Sequence, residues 1–61
     1  NINQATAEDL MEADRIGEKR AQDILDFIAA RGGISDMDEL LEIEGIGEAT
    51  LAGLKELFYA E

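Results

Sequence analysis

Gly45, Ile46 and Gly47, followed by Glu48, Ala49, Thr50 and Leu51, are the residues whose types and spacing point most directly to chemistry. Two glycines around one apolar residue let the main chain reverse tightly between helices, since glycine takes positive φ without steric cost. Ile46 is then free to point inward as a plug. The turn leaves several amide N–H groups at the start of the next helix without internal partners, at the positive end of its dipole. Such a spot accepts an anion, and a nucleic-acid phosphate is one candidate. A degraded copy, Arg15, Ile16, Gly17, Glu18, Lys19, Arg20 and Ala21, lies thirty positions earlier. The repeat makes this a paired device.

Other chemistries are poorly provided for. The 61 residues include no cysteine and no histidine, which removes thiolate ligands, disulfides and the commonest general base. Paired carboxylates need a pocket, and a bundle this small offers little room for one, so the chain reads as a non-enzymatic binding module. The acidic run Asp36, Asp38, Glu39, Glu42 and Glu44 matches no calcium-loop spacing and reads as a solubilising face. Charge opposes the phosphate idea: fifteen acidic residues against five basic give −10. A phosphate binder normally carries a basic footprint. Three of the five cations, Arg15, Lys19 and Arg20, nevertheless gather at the first turn and the helix start after it. Local field, not net charge, decides whether a phosphate docks. The alternative at these cations is a solvated helix start with pairing to Glu18 or Asp23.

Positioning the two turns requires helices on either side. Thr6 followed by Glu8 and Asp9 reads as an N-cap with acids in the first turn. Ala21, Ile24, Leu25 and Ile28 recur at the spacing of a core-facing helix. Gly32 and Gly33 supply a left-handed C-cap, and Ser35 or Asp36 caps the next helix. Helices are expected near residues 6–13, 18–31, 36–42 and 48–59, with Asn1, Ile2 and Asn3 extended and Ile2 tucked against the bundle. Leu51, Leu54, Leu57 and Phe58 are expected on one side of the last helix. A thirty-residue shift lays Leu10 on Leu40, Ile16 on Ile46, Gly17 on Gly47, Ala21 on Leu51 and Ile24 on Leu54. Neither half can hide its apolar face alone. The expectation is therefore an all-α, four-helix, pseudo-twofold bundle, one domain over residues 1–61 with half-repeats of about 6–31 and 36–59. Its core should contain Leu10, Ile16, Ile24, Leu40, Ile46, Leu54 and Phe58, with Phe27 and Tyr59 at the boundary. No apolar run is long enough to span a bilayer, and no signal peptide is visible; the chain reads as a processed product or an excised domain.

The doubled pattern of an apolar residue, Gly-Ile-Gly and a small residue resembles the tandem helix-hairpin-helix domain. The opening Asn1-Ile2-Asn3-Gln4-Ala5-Thr6-Ala7-Glu8-Asp9-Leu10 narrows this to the ComEA family of DNA-uptake competence proteins, across essentially the whole chain. So does the order Arg31-Gly32-Gly33-Ile34 before Asp38-Glu39-Leu40 and Glu44-Gly45-Ile46-Gly47. The first hairpin is also similar to the hairpin domain of chromokinesins. The resemblance implies sequence-independent binding of the double-stranded DNA backbone through Gly45, Gly47, Ala49 and Thr50, and through Arg15, Gly17, Lys19 and Arg20. It further implies a monovalent cation, K⁺ or Na⁺, on the carbonyls of Leu41, Ile43 and Ile46, and for a true ComEA relative a place outside the cytoplasm. Where the family has proline then glycine, this chain has Asp14 and Arg15. Arginine resists the left-handed conformation, so hairpin one is expected to be reshaped. Where relatives carry an arginine late in the second helix, this chain has Ile28. The alternative function is a protein-interaction module that offers its acidic surface to a basic partner.

Overall fold

The computed structural model describes residues 1–61 and contains helices and no strands. Three are α-helices: α1 over Ala7–Met11, α2 over Glu18–Arg31 and α3 over Glu48–Leu57. Two are 3₁₀ helices, over Ile2–Gln4 and Met37–Glu42. Helix α1 packs on α2, and the Met37–Glu42 helix packs on α3. Thirteen apolar side chains form one core, and those of Ile2, Leu10, Ile24, Leu40 and Leu54 are fully enclosed.

The thirty-residue correspondence holds down to individual hydrogen bonds. Thr6 caps α1 in a reciprocal box with Asp9, and Asp36 caps the Met37–Glu42 helix in a box with Glu39. The Glu39 carboxyl lies below its usual range, chiefly because it accepts the Ser35 N–H, with Arg31 adding to the effect. Ala13 N–H donates to the Leu10 carbonyl and Ile16 N–H to that of Ala13. In the second half Ile43 donates to Leu40 and Ile46 to Ile43. Both isoleucine plugs are buried to the same degree, 5% exposed.

Four expectations require correction. The Asn1-Ile2-Asn3 segment is not extended: Asn1 caps a 3₁₀ turn that delivers Ile2 into the core. The Met37–Glu42 helix is 3₁₀ throughout, its ends closed by bonds three residues apart, Glu39 N–H to the Asp36 carbonyl and Ile43 N–H to that of Leu40. The last helix stops at Leu57, two residues early, and Phe58 is extended and only half-buried. Its stripe is cut short because the chain straightens to let the Tyr59 carbonyl accept the Ile2 N–H, at 2.8 Å. Leu57, at 54% exposed, consequently lies outside the core. Ile28 is a core residue.

Hairpin one is not reshaped, which is the fourth correction. Arg15 has φ of 71°, matching Gly45 at 93°, and is the only non-glycine residue with positive φ. A left-handed arginine carries strain of roughly 1–2 kcal/mol. Burial of Ile16 and the Ile16–Ala13 hydrogen bond on its far side hold it there. Arg15→Gly should therefore stabilise the chain by about 0.5–1 kcal/mol, strain relief exceeding the added freedom of the unfolded glycine. Thermal unfolding reads the difference, and a lower melting temperature would mean the arginine makes contacts that outweigh its strain.

Candidate functional site

The two turns differ from the other helix starts in one respect. Helices α2 and α3 have Gly17 and Gly47 at their N-cap positions, which have no side chain to offer as a cap. Their φ values of −95° and −100° do not require glycine. What the glycines provide is bare main chain. The first hydrogen bonds of these helices are Ala21 N–H to Gly17 and Leu51 N–H to Gly47, both 2.9 Å. The amides of residues 17–20 and 47–50 consequently have no partner in the chain. Each set is a cluster of oriented donors at the positive end of a helix.

The side chains around the two sets are unequal. At hairpin one Arg15 is exposed and makes no ion pair, and the Lys19 side chain is 84% exposed. Arg20 is the residue whose place the sequence did not disclose. It leaves its own hairpin and reaches the turn of the other, its guanidinium donating to the Glu44 carbonyl at 3.3 Å. A β-carbon on Gly45 would lie 2.6 Å from the centre of that guanidinium. Hairpin two, which lacks a cation of its own nearby in sequence, therefore has one from hairpin one. The pseudo-twofold relation repeats the approach from the other side, since Gly53 of α3 lies against the Asp14 carbonyl of hairpin one, a β-carbon there falling 4.0 Å from it. Each turn thus sits beside the opposite unit's long helix.

Of the remaining site residues, Gly45, Gly47 and Ala49 are exposed. Thr50, by contrast, is buried at 8% exposed, which leaves little of it to meet a ligand. The structure brings Lys19, Arg20, Glu44 and Gly45 to one groove, which Phe27 and Ile43 also line. Acid is close at hand: Asp23 pairs with both Lys19 and Arg20, and Asp26 lines the same groove. The other two cations are occupied elsewhere. Arg31 pairs with Glu39 and Glu42 and stacks on Phe27, and Lys55 pairs with Asp38. That last contact raises the Lys55 pKa above its usual value. Among the carbonyls singled out for a monovalent cation, those of Leu41 and Ile46 accept no hydrogen bond, and that of Ile43 takes the Ile46 N–H at 3.0 Å. Such oxygens suit a hard cation.

Comparison with known proteins gives a consistent picture. The family model described as helix-hairpin-helix motif matches residues 1–59. An uncharacterized protein of Haemophilus influenzae is 40% identical over 52 residues, which cover 84% of this chain and 46% of that protein. The human endonuclease/exonuclease/phosphatase family domain-containing protein 1 is 34% identical over 61 residues, all of this chain and 11% of that protein. The chain thus spans about half the length of one relative and about a tenth of the other. No solved structure matches.

Proposed function

We propose, from the premise that this chain belongs to the helix-hairpin-helix family, that it binds double-stranded DNA through the phosphate backbone without reading sequence. The observation that carries the proposal is the pair of uncapped amide sets at residues 17–20 and 47–50. Amides at a helix start receive phosphate oxygens, and nothing beside them is shaped for base edges, so contact is to the backbone alone. Arg15, Lys19 and Arg20 supply the cations, with Arg20 serving the second turn. The carbonyls of Leu41, Ile43 and Ile46 would hold a K⁺ or Na⁺ ion, which supplies a further positive charge beside hairpin two. Within this reading the chain is a ComEA-like module that holds DNA for whatever the rest of its protein does.

A second reading is favoured by one specific observation. Four of the five cations are already paired with carboxylates, and a charge of −10 is spread over a body of 24 × 20 × 19 Å. At physiological salt the Debye length is about 8 Å, so a polyanion is repelled from most directions of approach. That surface would instead suit a basic protein partner, with the turns purely structural.

Fluorescence anisotropy with a short random duplex at two salt concentrations separates the readings. If DNA is the ligand, Lys19→Ala with Arg20→Ala should weaken binding at least about tenfold and reduce the salt slope by nearly two contacts. Glu44→Gln with Glu48→Gln should tighten it. If the acidic face serves a protein, the same two substitutions at Glu44 and Glu48 weaken that association and the cation variant changes little. Absence of binding at hundreds of micromolar protein in low salt would overturn the DNA reading.

A further inference from the structure

The geometry points to Asp23 as an internal stand-in for the DNA phosphate, a carboxylate latch that Lys19 and Arg20 must leave before they bind; this inference rests on the DNA reading above. One oxygen of Asp23, Oδ2, accepts from Lys19 Nζ at 3.3 Å and from Arg20 Nη1 at 3.2 Å. It therefore holds together two cations whose own amides belong to the first set. The same Arg20 nitrogen contacts the Glu44 carbonyl, so the latch also fixes where the cation meets hairpin two.

Helix stability gives only a weak reason for this arrangement. Cations in the first turn of a helix face the positive end of its dipole, and pairs with the cation ahead of the acid are the weaker order. Lys19 and Arg20 thus work against the helix that carries them, and Asp23 offsets a placement made for another purpose. Nothing in the core needs Asp23 either: its side chain is one-third exposed and its counterpart thirty residues later is Gly53. An anion bound by both cations of a docking site marks where a phosphate charge is accommodated. When a phosphate takes its place, Asp23 is released to solvent beside Asp26.

Asp23→Asn tests this against Asp26→Asn, which removes the same charge one turn along the same helix from a carboxylate that pairs only with Gln22. General repulsion predicts equal gains for the two. The latch predicts that Asp23→Asn tightens binding of a random duplex at low salt by about tenfold, the worth of two exposed ion pairs released together, and Asp26→Asn by only about twofold. The excess should shrink in a chain that already carries Arg20→Ala, because the latch acts through that cation. Thermal melts of all the variants establish that they are folded. Equal gains at the two positions, or weaker binding by Asp23→Asn, would overturn the latch and leave the DNA reading standing, since the parent chain still binds. No binding by any of these chains would overturn both.

Discussion

Replacing Asn3 by alanine should destabilise the chain by about 3 kcal/mol, a large part of the roughly 3–9 kcal/mol expected for a domain of this size. The side-chain amide of Asn3 behaves as a piece of main chain. Its Oδ1 accepts the Ile34 N–H at 2.8 Å, and its Nδ2 donates to the Ile34 carbonyl at 2.9 Å and to the Glu61 carbonyl at 3.3 Å. One residue thus ties the opening segment, the connection between the halves and the chain's last carbonyl. Alanine would strand a half-buried N–H and a carbonyl without a substitute partner, the costlier way of losing a hydrogen bond. Melting temperature should fall by more than about 10 °C, on the scale of roughly 4–8 °C per kcal/mol for small domains. Urea melts that place the loss below about 1 kcal/mol would show the clasp to be incidental.

Gly45→Ala is the second large effect, at about 2 kcal/mol, and its contrast with Gly47→Ala is the informative part. At Gly45 an L-residue must hold φ near 93°, and its β-carbon meets the Arg20 guanidinium at 2.6–2.8 Å. The arginine is flexible enough to swing away, so most of the cost is backbone strain, to which the lost contact with the Glu44 carbonyl adds a little. At Gly47 φ is −100° and nothing lies within 4 Å of the added atom. Alanine there gives up only a favourable N-cap residue, under about 1 kcal/mol. Chemical denaturation of the two variants should therefore separate them by at least 1 kcal/mol; equal losses would mean that Gly47 is needed for more than its bare main chain.

Much of the fold is legible because it is local and repeated. Thr6, Asp36, Gly32 and the apolar stripe of α2 each announce a start, a stop or a face within a few residues. The thirty-residue shift then doubles every signal. What escapes such reading depends on residues far apart. Phe58 continues the hydrophobic stripe on paper, yet the chain leaves the helix there because Ile2 takes the Tyr59 carbonyl. Arg15 looks hostile to a left-handed turn, but the buried plug beside it enforces one. At the candidate site the glycines and the cations of hairpin one are visible in the sequence. The service of Arg20 to hairpin two is not, since it spans 24 positions and is created only when the halves dock.

Helix α2 has a further consequence through its length. Its first residue follows Gly17 at one hairpin, and its last precedes Gly32 and then Gly33, against which Asn3 sits. Fourteen residues at about 1.5 Å each make a strut of roughly 21 Å, nearly the longest dimension of the molecule. Asn3 also binds the Glu61 carbonyl, so both chain ends lie at the far end of that strut from hairpin one. A longer protein carrying this unit would enter and leave it at a single point, as a stalk meets a bead. The uncapped end of the strut thereby lies away from the points at which flanking polypeptide would join.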